Sequence, residues 1–398
     1  MAASRAGRVE VAKAILGNPR LFRVAPRVNW FLCRYMRKFR VIEVGGHLVV
    51  HSHLPPLNSR AYRRFVDEQL VARCAGPTHA QIGVTNECPQ DCEYCYNIGR
   101  TGAPMDLETI LGVIRELKRM GVLWIGLTGG EPVMNRALPR IVETIGDDCT
   151  SKLFTTGCGL TPALAADLKR AGLVYVSVSL DHWIEAEHDR ARRYPGAFEA
   201  ALSAIRTCLD IGGLHVSVSA VLSQAMLERN DVEEFLAFLE GLGVHEAWLS
   251  ETKPSIRATG GGQGVITQEQ HDGLVTLQDR YNRRGGMTVN YLGHFEDASQ
   301  FGCAAGRKMV YVDAYGEVSP CVFIPMTFGN VRQRRLGDIV TAMQNCFPSE
   351  NRCFINQNFA KLGAFATGAA PLALPAALQA LDQVEFGPRA EFFRLHDR

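Results

Sequence analysis

From residue 80 onward, the chain alternates between short apolar runs and longer segments with helical spacing. The apolar runs have the length and composition of strands and lie at 80–85, 123–128, 152–156, 175–180, 215–222 and 246–251. Apolar residues recur every three to four positions in the segments that follow them, at 106–120, 135–146, 161–171, 196–212, 230–242 and 267–284. Six β–α units in series predict an α/β fold, a partial (β/α)6 barrel with a parallel sheet.

Changes in this pattern divide the chain into four predicted domains. Residues 1–79 combine a basic amphipathic helix with a hairpin turned at Gly45-Gly46, and residues 80–290 form the barrel. Residues 291–360 carry a second group of cysteines, and residues 361–398 predict an Ala/Pro-rich tail with a docking helix.

Two further segments superficially resemble a metal site and a phosphate-binding loop, but the sequence supports neither. The histidines His47, His51 and His53 alternate on the hairpin without a nearby cysteine or acidic partner, so we expect them at the surface. The segment 257–264 (RATGGGQG) lacks the spacing of a phosphate-binding loop and is predicted to be a plain loop.

Composition places the chain among globular proteins. Of its 398 residues 46% are hydrophobic and 21% charged, and the net charge of +2 argues against a nucleic-acid partner. No apolar run reaches the ~20 residues of a membrane span, and the N-terminus lacks the apolar core of a signal peptide. We therefore expect a cytoplasmic protein whose twelve cysteines are reduced and available to metals.

The N-terminal 40 residues are strongly basic, with ten Lys and Arg residues against Glu10 alone. Residues 26–39 place an apolar stripe on one helical face, made of Val28, Phe31, Leu32, Tyr35, Met36 and Phe39. The stripe either packs on the main domain or lies on an anionic membrane surface. Both interpretations stay open, so the predicted location is cytoplasmic with or without peripheral membrane contact.

The sequence CPQDCEYC places Cys88, Cys92 and Cys95 on one loop just after the first barrel strand, where barrel enzymes carry their chemistry. Three thiolates can hold one face of an iron–sulfur cube, because soft sulfur favours iron. A zinc site would need a fourth ligand nearby, and no cysteine or histidine lies between Cys95 and Cys149. Three-point ligation leaves one iron open to a small molecule.

Together with Tyr94 before the last cysteine, this C-x3-C-x2-C loop resembles that of the radical S-adenosylmethionine (radical SAM) superfamily. The second strand ends in a sequence that resembles the family's GGEP motif, formed by Gly129, Gly130, Glu131 and Pro132. In the family this motif offers its backbone to the methionine amino group of SAM. The stretch 177–198 resembles the family's fourth-strand region. By that match Ser179 makes polar contacts to SAM and Arg192 pairs with its carboxylate.

The resemblance covers residues 80–255 and implies a defined chemistry. A [4Fe-4S] cluster with an open iron would bind SAM and cleave it reductively to a 5′-deoxyadenosyl radical. That radical would abstract hydrogen from an unactivated carbon of the substrate, as in the family's oxidoreductases and transferases. An electron donor of the flavodoxin or ferredoxin type is implied as a partner.

The second group of cysteines resembles the SPASM and twitch domains of the same superfamily. Twelve residues separate Cys303 from Gly316, and four more separate Gly316 from Cys321, across a predicted hairpin. The resemblance implies an auxiliary [4Fe-4S] cluster, with Cys346 and Cys353 as its remaining ligands. The alternative is that Cys353 or Cys346 is an ordinary thiol, which would leave an open iron that could bind substrate. The chain lacks the dense C-x2-C-x5-C-x3-C run of a full SPASM domain, so a single auxiliary cluster is expected.

The sequence leaves two interpretations of the substrate open. The basic aromatic helix favours a small, hydrophobic or membrane-derived biosynthetic molecule. The length of residues 1–79 suits instead a peptide-binding domain, which would accompany crosslinking, epimerisation or oxidation of a ribosomally made peptide. Outside this class, a non-catalytic iron–sulfur redox protein or a zinc protein is the alternative, and the GGEP motif argues against both.

Overall fold

The computed structural model describes residues 4–254, 266–347, 352–365, 371–384 and 386–396. The segment 257–264 lies outside the described residues. The strands are β1 (Ser4–Arg5), β2 (Ile42–Val44), β3 (His47–Val49), β4 (His79–Thr85), β5 (Trp124–Gly129), β6 (Thr150–Thr155), β7 (Tyr175–Ser179), β8 (His215–Leu222), β9 (Glu246–Glu251), β10 (Thr288–Tyr291), β11 (Met309–Val312) and β12 (Val318–Ser319).

The helices alternate with the strands through the middle of the chain and cluster at its two ends. They are α1 (Arg8–Leu16), α2 (Pro26–Met36), α3 (Arg60–Arg64), α4 (Leu107–Arg119), α5 (Leu138–Ile145), α6 (Pro162–Arg170), α7 (Glu185–Arg192), α8 (Ala197–Ile211), α9 (Gln224–Arg229), α10 (Val232–Leu242), α11 (Gln268–Arg284), α12 (Leu292–Phe295), α13 (Leu336–Cys346), α14 (Phe354–Gly363), α15 (Leu374–Leu381) and α16 (Glu391–His396). A π-helical turn, Phe65–Val71, continues α3.

The main sheet has nine strands in the order β10-β9-β8-β7-β6-β5-β4-β11-β12. The seven strands from β4 to β10 are parallel to their neighbours, so crossover helices cover the outside of the curved sheet. This confirms the predicted α/β fold and partial barrel, and all six predicted strands are present. The carboxyl ends of these strands meet at one edge of the sheet, which positions the loops described below.

Two additions to the sheet were not predicted. Strand β10 is a seventh parallel strand beside β9. The predicted hairpin β11–β12 forms, and β11 also pairs in parallel with β4, with Tyr311 opposite Gln81. The second cysteine region is therefore continuous with the barrel sheet and begins next to the strand that carries the first cysteine loop.

The crossover helices begin at capping residues that the sequence supplies. Asp106 caps α4 by accepting from the Thr109 N–H, and Thr161 caps α6 by accepting from the Leu164 N–H. Helix α11 begins with a reciprocal capping box between Thr267 and Gln270.

The apolar stripe of α2 packs inside the protein. Its Phe31 and Tyr35 rings meet Phe301 edge-on with centroids 5.3 and 4.9 Å away, and Phe31 also contacts Phe392 of α16. Among the described residues no helix is long and apolar enough to cross a membrane. Of the two interpretations of the stripe, packing on the main domain is confirmed.

Residues 50–54 cross the amino end of the barrel and close it with buried polar contacts. Ser52 accepts a hydrogen bond from Lys152 Nζ at 2.7 Å, and its N–H donates to the Glu246 carboxylate at 3.0 Å. The expectation of surface histidines was wrong for His51, which is 3% exposed, and burial lowers its pKa to about 3. The segment therefore forms part of the core rather than a metal site.

Candidate active site

A cavity of about 600 Å³ runs through the inside of the barrel, lined from Thr78 and His79 at the amino end of the sheet to the loops at the carboxyl ends of the strands. Two groups of three cysteines line it. The first triad is Cys88, Cys92 and Cys95, and the second triad is Cys303, Cys321 and Cys353. Much of the remaining lining is aromatic or aliphatic. The two cysteine groups that the sequence separates by more than 200 residues therefore face one common space.

The loop of the first triad leaves β4 and folds onto the end of α7. Its Asp91 and Glu93 N–H groups donate to the carbonyls of Arg192 and Ala191, at 3.3 and 3.2 Å. Desolvation raises the pKa of Cys88 to about 12 and also raises that of Cys92. Bound iron would replace these thiol protons, since metal binding stabilises the thiolate.

A buried network of hydrogen bonds and charges holds the loop of the first triad in place. Arg192 donates from Nε and Nη2 to the Asp181 carboxylate at 2.8 and 3.0 Å, and its Nη1 lies 3.9 Å from Cys92 Sγ. The Tyr94 hydroxyl donates to the same carboxylate, which also accepts from the Val221 N–H. Arg192 lines the cavity, but the Asp181 carboxylate already neutralises its charge. Its geometry supports a role in positioning the cysteine loop, and the predicted pairing with the SAM carboxylate stays a prediction.

The GGEP segment also differs from its predicted use in one respect. A Cβ on Gly129 would lie 2.1 Å from the Thr85 carbonyl oxygen, and one on Gly130 would lie 2.1 Å from that of Glu87. The glycines are required because the end of β5 packs against the backbone that leads into the first triad. The backbone of both glycines still lines the cavity, as SAM binding requires.

The next two residues of the motif are structural. The Glu131 carboxylate is fully buried and accepts from the Thr155 hydroxyl at 2.7 Å and from both the hydroxyl and the N–H of Thr156 at 2.6 Å. Pro132 begins a short 3-10 turn. Glu131 therefore ties the end of β5 to the end of β6. These contacts give Thr155 and Thr156 a structural role at the end of β6.

Replacing Gly130 with alanine is expected to displace the first cysteine loop, because backbone atoms cannot yield to a Cβ at 2.1 Å. We expect the variant to bind less iron and to lose most SAM affinity, measured by iron analysis and equilibrium dialysis. Gly112→Ala is the control, since Gly112 has no atom within 4 Å of an added Cβ. In helix α4 alanine should stabilise by up to about 1 kcal/mol. Equal iron content in both variants would contradict the packing argument.

Ser179 ends β7 and lines the cavity, and its predicted contact with SAM stays a prediction. Tyr96 and Thr128 line it as well and share a 2.5 Å hydrogen bond between their hydroxyls. Three thiols, the cavity-lining backbone of 128–130 and these hydroxyls form a donor set that fits a cluster with bound SAM.

The second triad is gathered by three different elements. Cys303 and Cys321 flank the β11–β12 hairpin, and Cys353 is the N-cap of α14. Burial raises the pKa of Cys303 and Cys321 to about 12. Among the described residues no three His, Cys, Asp or Glu side chains can hold a single metal ion. A cube requires no such convergence, since each of its irons takes its own ligand.

Cys346, the other predicted ligand, is not brought to this group. It lies in the last turn of α13, where its thiol donates to the Ala342 carbonyl at 3.5 Å and it packs against the apolar core. The structure thus assembles three of the four predicted auxiliary ligands. Cys158 also lies beside the first triad, where its sulfur accepts from Gln90 Nε2 at 3.6 Å.

Three charged residues that the sequence did not single out as a group lie next to the second triad. Lys253 Nζ donates to Glu251 at 2.9 Å and to Glu296 at 2.8 Å, and all three side chains line the cavity. Asn356 of α14 donates to Glu251 at 2.8 Å. Burial alone would raise the pKa of Glu251, but the Lys253 charge and these hydrogen bonds lower it to about 2. Their position was the available signal, since Glu251 ends β9, Lys253 lies two residues later, and Glu296 follows the short helix α12 after β10.

Comparison with known proteins agrees with this geometry. The family model of the Radical SAM superfamily matches residues 82–239, and that of an iron-sulfur cluster-binding domain, SPASM, matches residues 303–358. Together the two matches take in more than half of the chain.

Among curated proteins, a probable GTP 3′,8-cyclase of Saccharolobus islandicus is 31% identical over 202 residues, which are 50% of this chain. The chain spans only 63% of the length of that relative. The PqqA peptide cyclase of Methylocella silvestris is 27% identical over 278 residues, 64% of this chain and 72% of that protein.

Among solved structures, Streptococcus suis SuiB bound to its precursor peptide SuiA superposes with a TM-score of 0.58 at 12% identity. The alignment covers 78% of each chain. SuiB bound to S-adenosylmethionine gives a TM-score of 0.59 at 13% identity, covering 79% of this chain and 80% of that one. At this identity the likeness concerns the fold.

Proposed function

We propose that this chain, a member of the radical SAM superfamily with a SPASM domain, cleaves SAM reductively and abstracts hydrogen from an unactivated carbon of its substrate. One observation carries the proposal. The first triad, the second triad and the backbone of the GGEP segment line a single cavity. A cluster at the first triad and a substrate in that cavity would therefore be neighbours.

When bound, the cluster and SAM together supply a 5′-deoxyadenosyl radical, which the protein itself cannot form. The protein holds the reactants in place and excludes water. Cys88, Cys92 and Cys95 would hold three irons, while Ser179 and the backbone of 128–130 would bind SAM. The apolar walls keep solvent from the reacting carbon. Electrons would come from a flavodoxin or ferredoxin type donor.

The test is anaerobic reconstitution with iron and sulfide, followed by dithionite and SAM. We expect 5′-deoxyadenosine and methionine, detected by mass spectrometry. A protein that carries an intact cluster at the first triad yet forms no 5′-deoxyadenosine would overturn the proposal. That result would favour the non-catalytic redox protein.

For the substrate we favour a small hydrophobic or membrane-derived molecule, because the cavity offers it a largely apolar environment. Aromatic residues that line the cavity are Tyr35, Phe154, Trp248, Phe295, Phe301 and Phe323. Burying an apolar group against such rings stabilises a complex by roughly 25 cal/mol per Å².

The second candidate is a ribosomally made peptide. It is favoured by the likeness to the PqqA peptide cyclase and by the fold shared with SuiB, which was solved with a precursor peptide. Lipid and peptide fractions from the source organism grown in deuterated water would separate the two. Deuterium transferred to 5′-deoxyadenosine from the lipid fraction supports the first, and transfer from the peptide fraction supports the second.

Peripheral membrane contact is part of the first candidate, but the buried α2 stripe cannot provide it. In the same basic segment Phe22 and Trp30 are 77% and 68% exposed. Aromatic side chains among arginines suit the interface of an anionic bilayer.

We expect binding to phosphatidylglycerol vesicles at low salt, with little binding to phosphatidylcholine. F22S/W30S should weaken it about tenfold or more, since each aromatic group contributes roughly 1.5–3 kcal/mol when buried. The control is M134S/I184S, which changes exposed apolar residues outside this segment. Vesicle co-sedimentation that is equal for both variants, or absent throughout, would exclude this surface.

A further inference from the structure

The second triad leaves one position of an auxiliary cluster without a cysteine. A [4Fe-4S] cube has four irons, and each needs a ligand outside the cube. Every cysteine of the chain lies in the described residues, and only six of the twelve line the cavity. Three of those belong to the first triad. The fourth position of the auxiliary cluster must therefore be taken by another group or stay open.

Glu296 is placed to take it. The residue follows α12 at the end of β10, seven residues before Cys303, and its side chain lines the same cavity. The side chain is 15% exposed, and Oε2 accepts from Lys253 Nζ at 2.8 Å. Among the described residues Oε1 has no hydrogen-bond partner. A carboxylate is thus held at the site with one oxygen still available.

The electrostatics indicate that this carboxylate lies close to the whole triad. After burial, its charge is the largest cause that raises the pKa of Cys303 and Cys353, and it also contributes to raising that of Cys321.

Lys253 supplies the compensating charge. Its side chain is 2% exposed and bridges Glu296 and Glu251, and Cys353 is the largest electrostatic contributor to its raised pKa. Three thiolates and a carboxylate concentrate negative charge in a buried place, which is costly without a cation nearby. Carboxylate oxygen is an established iron ligand in proteins.

We infer that Glu296 is the fourth protein ligand of the auxiliary cluster, bound through its carboxylate to the iron that no cysteine reaches. Lys253 acts as a positioning residue that holds this carboxylate toward the second triad. Cys346 is not a ligand. The inference rests on the auxiliary cluster of the proposed function, but it does not depend on SAM cleavage.

The test isolates the auxiliary cluster by combining C88A, C92A and C95A in the full chain and reconstituting it with ⁵⁷Fe. In Mössbauer spectra of this triple variant, the background protein, about one quarter of the iron should show the higher isomer shift of an oxygen-ligated site. Adding E296C should make all four irons alike, because the ligand becomes a thiolate. C346S serves as the control and should leave the spectrum unchanged.

A second measurement distinguishes a ligand from a neighbour. Cyanide should leave the EPR signal of the reduced background protein unchanged and should shift it once E296A opens the iron. If the background itself binds cyanide, or if its four irons are already alike while Cys346 is present, the inference is wrong. SAM cleavage is measured separately on chains with an intact first triad. Its failure would count against the proposed function and not against Glu296.

Discussion

Replacing Asp181 with alanine is expected to abolish SAM cleavage and to lower the free energy of unfolding by about 3–5 kcal/mol. The Asp181 and Arg192 side chains are 5% and 7% exposed and are paired by two hydrogen bonds. Removing the carboxylate leaves a guanidinium buried without a partner. It also releases Tyr94, which sits on the cysteine loop between Cys92 and Cys95.

The effect should depend on pH in a defined direction. Burial alone would raise the pKa of Asp181, but the Arg192 and His188 charges and the hydrogen bonds from Arg192 and Tyr94 lower it. Its stabilisation is therefore complete above the unfolded value of about 3.9 and is lost as pH falls through the lower folded value. The urea midpoints of wild type and D181A should differ most above about pH 5 and converge in acid.

The matched control is Asp167→Ala, which removes an exposed carboxylate paired with Arg170 on a helix. Such a pair contributes about 0–1 kcal/mol, so this variant should keep both its stability and its iron. A D181A protein that unfolds like wild type and still forms 5′-deoxyadenosine would show that the network does not position the loop.

Removing either triad is expected to halve the iron content, but only one removal should stop SAM cleavage. The wild type should bind about eight iron atoms per chain, and C88A/C92A/C95A and C303A/C321A/C353A about four each. The first variant should form no detectable 5′-deoxyadenosine, because SAM would have no open iron. The second should still cleave SAM but should fail to take deuterium from a labelled substrate fraction.

Iron analysis and mass spectrometry on the same preparations decide this prediction. C149A/C208A is the control, since both cysteines are buried in the core and do not line the cavity. If the second triad variant kept all its iron, the auxiliary site would be misassigned.

Much of the fold could be predicted because it depends on local patterns. The six strands and their crossover helices follow from apolar spacing, and the first cysteine loop was located by its position after a strand. By contrast, β10 spans only four residues, and the pairing of β11 with β4 joins positions about 230 residues apart. No local pattern specifies such a partner.

The candidate site shows the same division. Spacing identified the first triad and the hairpin cysteines, but it could not tell that the Cys346 thiol turns back onto Ala342 in its own helix. Arg192 resembled a SAM ligand in the sequence, and only the fold revealed that Asp181 occupies its guanidinium. Residues such as Glu296 and Lys253 gain their meaning from being brought together across several strand ends.

The central claim is that two clusters share one cavity and that SAM binds only at the first triad. EPR spectra of the dithionite-reduced wild type and both triad variants, each recorded with and without SAM, test it most directly. We predict two components in the wild type, of which SAM shifts only the one that C88A/C92A/C95A lacks. A SAM-dependent shift that persists in C88A/C92A/C95A, or a single component that survives in both variants, would contradict it.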